Sequence, residues 1–147
     1  MIRRAAGVFF YSSSTNRFLY LLRNDRQNSL SWSIPGGTIE DNETLLVGLK
    51  RECIEETDFF PKKAKLIPIQ KFVNNNFNYH TFFCAIPDEF IPVLNDEHLG
   101  YAWIDYGNYP KPLHPGFFST INLDSVQDKI KALVVKNGSM SRFTLRQ

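Results

Sequence analysis

Three glutamates in the first half of the chain are spaced so that they could bind a divalent cation. Glu52, Glu55 and Glu56 lie at positions i, i+3 and i+4, which on a helix places their carboxylates within about a third of a turn of one another. Like charges at this spacing weaken an isolated helix by about 0.2–0.5 kcal/mol per pair. A hard ion such as Mg²⁺ would offset that repulsion, since it takes carboxylate oxygens, water and phosphate as ligands. The alternative is a solvated acidic face, which is the usual meaning of a charge run.

The helix that must position these glutamates is predicted from the apolar residues of the same stretch. These residues recur at every fourth position and form one stripe of the helix: Leu45, Leu49 and Cys53. We expect Asp41 or Asn42 to cap the N-terminus, with Glu43 in the first turn, where the helix dipole favours a negative charge. Pro61 stops the helix at its other end.

The stretch 37–59 resembles the Nudix box, in which a glycine, a glutamate, an Arg-Glu pair and a Glu-Glu pair follow one another at fixed intervals. The matching residues are Gly37, Glu43, Arg51, Glu52, Glu55 and Glu56. Two positions depart from the pattern, because Cys53 stands where an aliphatic residue is usual and Asp58 replaces the closing glycine. A free cysteine behaves as a small buried hydrophobe, whereas aspartate takes the left-handed conformation of that glycine only at some cost.

This resemblance implies a Nudix fold of the α/β class, an α/β/α sandwich with a mixed β-sheet, in a single domain over residues 1–147. It implies that Mg²⁺ or Mn²⁺ is bound by the Gly37 carbonyl and by three carboxylates, those of Glu52, Glu55 and Glu56. Glycine lets the backbone come close to such an ion because it has no Cβ. The remaining pair of the box, Glu43 and Arg51, is expected to form a structural ion pair.

The resemblance also implies catalytic roles for Glu52 and Glu97. Glu97 stands in a polar loop six residues before Trp103. Many Nudix enzymes take a further glutamate from this region, either as a metal ligand or as the base for the attacking water. The alternative for Glu97 is a solvated loop carboxylate.

Basic residues near the end of the second predicted strand often touch substrate phosphate in the Nudix family, which implies a substrate-binding role for Arg23, with Arg26 in the loop beyond. Three prolines in the string 109–116 would fix an extended loop that holds Lys111 and His114 in place for substrate. A solvated arginine and a turn-rich connector are the alternatives.

The strings 94–103 and 109–116 are similar to small Nudix hydrolases of tailed bacteriophages and related bacterial proteins. That likeness implies metal-dependent hydrolysis of the diphosphate bond in a nucleoside diphosphate linked to another moiety, such as ADP-ribose, FAD, NADH or a diadenosine polyphosphate. Three alternatives stay open: removal of caps or diphosphates from RNA 5′ ends, hydrolysis of a GDP-mannose-type nucleotide sugar, and a nucleotide-binding sensor without activity. A homodimer is also open.

The composition is that of an ordinary globular domain with a mildly basic balance. The chain has 147 residues, 43% of them hydrophobic, and a formal net charge of +2. No stretch approaches the 18 or so apolar residues of a membrane span, and two cysteines are too few for a disulfide framework. We therefore expect a cytoplasmic protein with no membrane partner.

Strand signals lie on both sides of the acidic helix, and a further helix is predicted near the end of the chain. The predicted strands cover residues 5–11, 18–22, 64–72, 79–86 and 101–104, with a short strand ending at Pro35. The last predicted helix covers residues 125–135.

Overall fold

The computed structural model describes residues 2–24 and 30–138, and within them seven strands form one sheet. The strands are β1 (Arg3–Ser12), β2 (Arg17–Arg23), β3 (Trp32–Ser33), β4 (Gly36–Ile39), β5 (Ile67–Asn74), β6 (Phe77–Ile86) and β7 (His98–Asp105). The strand order is β3-β2-β1-β6-β5, while β4 also pairs with β1 and β7 also pairs with β2. The sheet is mixed, because β1 and β6 run parallel and the other pairs are antiparallel.

Three helices, α1 (Leu45–Thr57), α2 (Pro115–Ile121) and α3 (Asp124–Asn137), cover the two faces of this sheet. Side chains alternate along β1, as the pleat requires. Val8 and Phe10 face the α1 side with Leu49, whereas Phe9 and Tyr11 face the α2 and α3 side. Two apolar cores result, one on each face. The predicted α/β/α sandwich with a mixed sheet is confirmed.

The main elements lie where the sequence predicts them, but the start of α1 is different. The N-cap is Thr44, whose Oγ1 accepts a hydrogen bond from the Val47 amide at 3.2 Å, and not Asp41 or Asn42. Glu43 precedes the cap and is therefore not in the first turn. A turn closed by the Glu43 amide and the Glu40 carbonyl, at 3.0 Å, delays the start of the helix.

The end of α1 follows the family pattern although its glycine is missing. Asp58 has φ 58° and ψ 28°, the left-handed conformation, and its amide donates to the Ile54 carbonyl at 2.9 Å. The aspartate thus takes the same cap geometry that glycine adopts without cost.

The string 109–116 is only partly the extended loop that its prolines predict. The loop ends at His114, and Pro115 opens the short helix α2, which the sequence pattern does not predict. Proline fits the first helical position because the amide it lacks would have no partner there. None of the helices in residues 2–24 and 30–138 is long and apolar enough to span a membrane.

Candidate active site

The glycine pair lies directly under the acidic helix. In the pairing of β1 with β4, Gly36 stands opposite Gly7 and Gly37 opposite Ala6. Gly36 has φ +150°, and a Cβ on it would lie 2.0 Å from the Ala6 carbonyl oxygen. Its amide donates to Oε1 of Glu56 at 2.9 Å. The pairing of β1 with β4 therefore sets the position of the Glu56 carboxylate.

Gly37 gives the same kind of room to the next carboxylate. A Cβ at this position would lie 2.5 Å from the carboxyl carbon and Oε2 of Glu52. The Glu52 side chain is therefore seated against the bare backbone of β4. This close approach brings together Gly37 and Glu52, two of the residues expected to bind a metal.

Arg51 holds the loop before α1 against the helix. Its Nε and Nη2 donate to the two carboxylate oxygens of Glu43 at 2.8 and 2.9 Å, and Nη2 also donates to the Thr38 carbonyl at 3.0 Å. Its Nη1 reaches Glu52 at 3.0 Å and Glu55 at 3.3 Å. One guanidinium thus joins the loop to two of the three site carboxylates and relieves part of their repulsion.

The pKa of Glu43 is lowered to about 2, mainly by its side-chain hydrogen bonds with Arg51 and then by the hydrogen bond from the Glu40 amide. A carboxyl with a lowered folded-state pKa stabilises the fold above its ordinary pKa of 4.5, and loses that contribution as the pH falls toward 2. We expect Glu43→Gln to lower the melting temperature at pH 7, with the difference from wild type disappearing between about pH 5 and pH 2.

Thermal melts at several pH values measure this difference. Asp41→Asn, an exposed residue of the same loop, is the matched control and should follow wild type throughout. A difference that is as large at pH 2 as at pH 7 would contradict the ion-pair role.

A second group of ligands forms where the loop before β7 reaches the helix. Carboxylate oxygens of Glu56 and Glu97 and a ring nitrogen of His98 all lie within 4.8 Å of one another. The Asn24 amide donates to the Glu97 carbonyl at 2.9 Å, and the Glu97 amide donates to Oδ1 of Asn95 at 3.1 Å. Hydrogen bonds to the backbone therefore fix the loop that carries Glu97.

The Glu56 carboxyl is buried, with a relative exposure of 4%. Burial raises its pKa to about 9, and the charges of Glu52 and Glu97 add to the shift, while the Gly36 amide opposes it. The pKa of Glu52 is also raised, first by burial and against the effect of Arg51. A buried carboxylate beside two others is stabilised when a cation lies among them. These residues therefore fit a divalent ion. Glu52, Glu56 and Glu97 would supply oxygen ligands, and the imidazole of His98 lies beside them.

A pocket of about 460 Å³ opens on the α2 side of the sheet. Its apolar walls are Phe72, Phe77, Tyr79 and Phe117, and its polar groups include Arg23, Ser33, Gln70, His114 and Ser119. Tyr79 connects this pocket with the carboxylates. Burial is the main cause of the raised pKa of Tyr79. The charge of Glu56 raises this pKa further, and the charge of Arg23 opposes the shift. The phenol thus lies within electrostatic reach of both groups.

The structure brings together most of the residues that the sequence singles out. Arg23 and His114 line the pocket, although they are 91 positions apart, and His114 accepts a hydrogen bond at Nδ1 from the Gly116 amide at 3.1 Å. Lys111 is not among the residues that line this pocket. Glu55 lies at the outer side of the cluster, with its side chain 49% exposed. Arg26 lies outside the described residues.

His98, Tyr79 and Gln70 also belong to the site, although the sequence does not assign them to it. His98 had a signal, since it follows Glu97 directly at the start of a strand. Tyr79 and Gln70 lie on two paired strands, and no local pattern shows that their side chains face a pocket.

Comparison with known proteins gives concordant results. The family model of the NUDIX domain matches residues 1–122. The dihydroneopterin triphosphate diphosphatase of Haemophilus influenzae is 33% identical over 114 residues, which cover 66% of this chain and 70% of that protein. The Escherichia coli K12 protein of the same name is 30% identical over 115 residues, and the match covers 67% of this chain and 75% of that protein.

One solved structure has a similar fold. The structure of the Escherichia coli dihydroneopterin triphosphate pyrophosphohydrolase matches with a TM-score of 0.62 and 23% identity. The match covers 90% of this chain and 95% of that chain. At this identity the likeness concerns the fold.

Proposed function

Because the chain belongs to the Nudix family and is a pyrophosphohydrolase, we propose that it hydrolyses a diphosphate bond in the triphosphate of a pterin or a related bicyclic base. The observation that carries this proposal is the pocket with aromatic walls, whose Tyr79 lies within electrostatic reach of the buried Glu56. The names of the relatives from Haemophilus influenzae and Escherichia coli support dihydroneopterin triphosphate as the first substrate to test.

Nudix hydrolases use divalent metal ions, and the proposed cofactor of this chain is Mg²⁺ or Mn²⁺. A bound ion supplies charge neutralisation for the phosphate oxygens and makes attack by water easier. Glu52, Glu55 and Glu56 would hold it together with the Gly37 carbonyl. Arg51 keeps two of these carboxylates in place through its hydrogen bonds. Glu97, which is exposed, would bind the ion as a further ligand or accept a proton from the attacking water, with Glu52 as the alternative base.

The pocket suits a planar base with polar edges. Its volume of about 460 Å³ is in the usual range for small-ligand sites. Phe77 and Tyr79 present neighbouring rings, with centroids 6.4 Å apart, against which a flat base can pack. Gln70 can donate and accept hydrogen bonds at the edge of the base, as a pterin or a purine requires. Arg23 would contact phosphate.

The substrates named from the sequence compete with this proposal. ADP-ribose, FAD, NADH and diadenosine polyphosphates carry the same bond between phosphates, and RNA 5′ ends and GDP-mannose remain further candidates. We further propose a cytoplasmic setting, a homodimer, a single domain over residues 1–147 and a contact between Lys111 and the substrate. Cys53 and Cys84 are both free and buried, which agrees with a reducing compartment.

A substrate panel tests the proposal. It contains dihydroneopterin triphosphate, GTP, ADP-ribose, NADH, diadenosine tetraphosphate, GDP-mannose and a capped oligonucleotide, each with Mg²⁺ or Mn²⁺, and products are separated by ion-exchange chromatography. We expect the highest kcat/KM for the pterin triphosphate. A higher value for ADP-ribose or a dinucleotide would retain the reaction type and replace the substrate. Binding without any product would indicate a sensor and overturn the proposal.

Arg23→Gln tests whether the pocket receives the substrate. The loss of a charge that contacts phosphate should raise KM about tenfold, since a charge-assisted hydrogen bond contributes about 1.5–3 kcal/mol. Arg17→Gln is the matched control, because Arg17 lies at the other end of β2 and pairs with Asp105 at 2.9 Å. Steady-state kinetics measures both variants. An equal KM for Arg23→Gln and wild type would place the substrate elsewhere.

A further inference from the structure

His98 lies among the acidic residues of the site, where an imidazole changes which metal is favoured. A ring nitrogen of His98 and carboxylate oxygens of Glu56 and Glu97 lie within 4.8 Å of one another. Ligands at about 2.1 Å from an octahedral ion are about 3 Å apart when adjacent and about 4 Å apart when opposite. A small adjustment of these side chains would therefore place one ion in contact with all three.

The backbone holds His98 in this position. In the pairing of β2 with β7, Leu22 stands opposite Gly100 but Arg23 stands opposite His98, so that Leu99 is an extra residue in β7. A bulge of this kind redirects the side chains beyond it. The His98 amide lies 3.4 Å from the Asn95 carbonyl, and the Asn24 amide binds the neighbouring Glu97 carbonyl at 2.9 Å. The strand end thus presents Glu97 and His98 together toward α1.

We propose that His98 supplies a nitrogen ligand to the cation held by Glu56 and Glu97, so that this site binds Mn²⁺ more tightly than Mg²⁺. The inference rests on the proposed metal-dependent function, but on no particular substrate. Mg²⁺ prefers oxygen ligands and retains water, whereas imidazole is a good ligand for first-row transition metals. A ligand set of two carboxylates and one imidazole therefore suits a first-row transition metal such as Mn²⁺ better than Mg²⁺.

Pulsed electron paramagnetic resonance of Mn²⁺ bound to the whole protein detects a coordinated nitrogen directly. We expect wild type to show the nitrogen modulation of a coordinated imidazole, and this modulation to change when the protein carries ¹⁵N-labelled histidine. The chain has three histidines, His80, His98 and His114. In the double variant His80→Gln/His114→Asn the modulation should persist, because only His98 remains. In His98→Gln it should disappear.

Calorimetric titration adds the affinities. His98→Gln should weaken Mn²⁺ binding by at least about tenfold, since even residues that only support a ligand cost 10–100-fold when they are removed. Mg²⁺ affinity should change much less. His80→Gln is the matched control, because His80 lies in β6 and lines a different pocket. This variant should bind both ions as wild type does.

The outcomes separate this inference from the proposed function. Mn²⁺ bound without nitrogen modulation in wild type, or modulation that persists in His98→Gln, would overturn the role of His98 and leave the hydrolase proposal intact. Failure of wild type to bind either ion would overturn both. If His98→Gln does not fold, loss of the modulation in the double variant overturns the inference and its persistence supports it.

Discussion

Substitution of Glu56 by glutamine is expected to lower kcat by about 10²- to 10³-fold while the protein stays folded. Glutamine has the same shape and can still accept the hydrogen bond from the Gly36 amide, which lies 2.9 Å from Oε1. It has no charge to bind a cation. Burial and the neighbouring carboxylates already raise the pKa of Glu56 to about 9, so a neutral side chain suits the metal-free fold. The effect therefore falls on catalysis and not on stability.

Steady-state kinetics and thermal melts of the same preparation check both parts of this prediction. Glu40→Gln removes an exposed carboxylate that precedes α1 and should leave kcat unchanged. Glu55→Gln should also reduce kcat strongly, because its carboxylate belongs to the same cluster. Near wild-type turnover in both Glu55→Gln and Glu56→Gln would contradict the metal assignment.

Gly36→Ala is expected to destabilise the fold by about 3 kcal/mol or more. The added Cβ would lie 2.0 Å from the Ala6 carbonyl oxygen and 2.6 Å from the Gly7 Cα, and both are backbone atoms of a buried strand. The residue also has φ +150°, which L side chains rarely adopt. Neither problem can be relieved by rotation of a side chain.

Urea unfolding measures the loss. Gly100→Ala is the matched control, because a Cβ there would meet nothing within 4 Å and the residue is also in a strand. Its free energy of unfolding should stay within about 1 kcal/mol of wild type. Equal midpoints for the two variants would show that the junction of β1 and β4 is not as tight as the geometry indicates.

The sequence predicts the fold well because its strongest signals are local. Apolar periodicity at Leu45, Leu49 and Cys53 predicts α1, which extends over Leu45–Thr57. Runs of aromatic and β-branched residues predict the longer strands. The observed β1, β2, β6 and β7 extend beyond the predicted ranges, whereas β5 begins at Ile67, three residues after its predicted start, and β4 was not predicted. The errors occur where tertiary contacts decide. Glu43 lies before the helix, in the turn with Glu40, and its carboxylate binds Arg51. The helix α2 begins at Pro115, which the sequence pattern places in a loop.

The candidate site also has one part that local sequence predicts and one part that depends on tertiary structure. Glu52, Glu55 and Glu56 lie on one helix, so their spacing predicts that they lie together, and the resemblance to the Nudix box adds Gly37 to them. The other half of the site depends on strand pairing. A one-residue bulge brings His98 opposite Arg23, and the pairing of β5 with β6 places Gln70 and Tyr79 beside the same pocket. No single-sequence pattern gives the strand register, so the sequence does not show which side chains of these strands face the pocket.

The most direct test of the whole account is ³¹P nuclear magnetic resonance of dihydroneopterin triphosphate incubated with the protein and Mg²⁺ or Mn²⁺. We predict equal amounts of inorganic diphosphate and a pterin monophosphate, with neither formed after chelation of the metal and both formed about 10²- to 10³-fold more slowly by Glu56→Gln. Release of orthophosphate alone would contradict the proposed diphosphatase reaction, and turnover that continues without metal would contradict the assignment of Glu52, Glu55 and Glu56 as the ligands of a catalytic divalent ion.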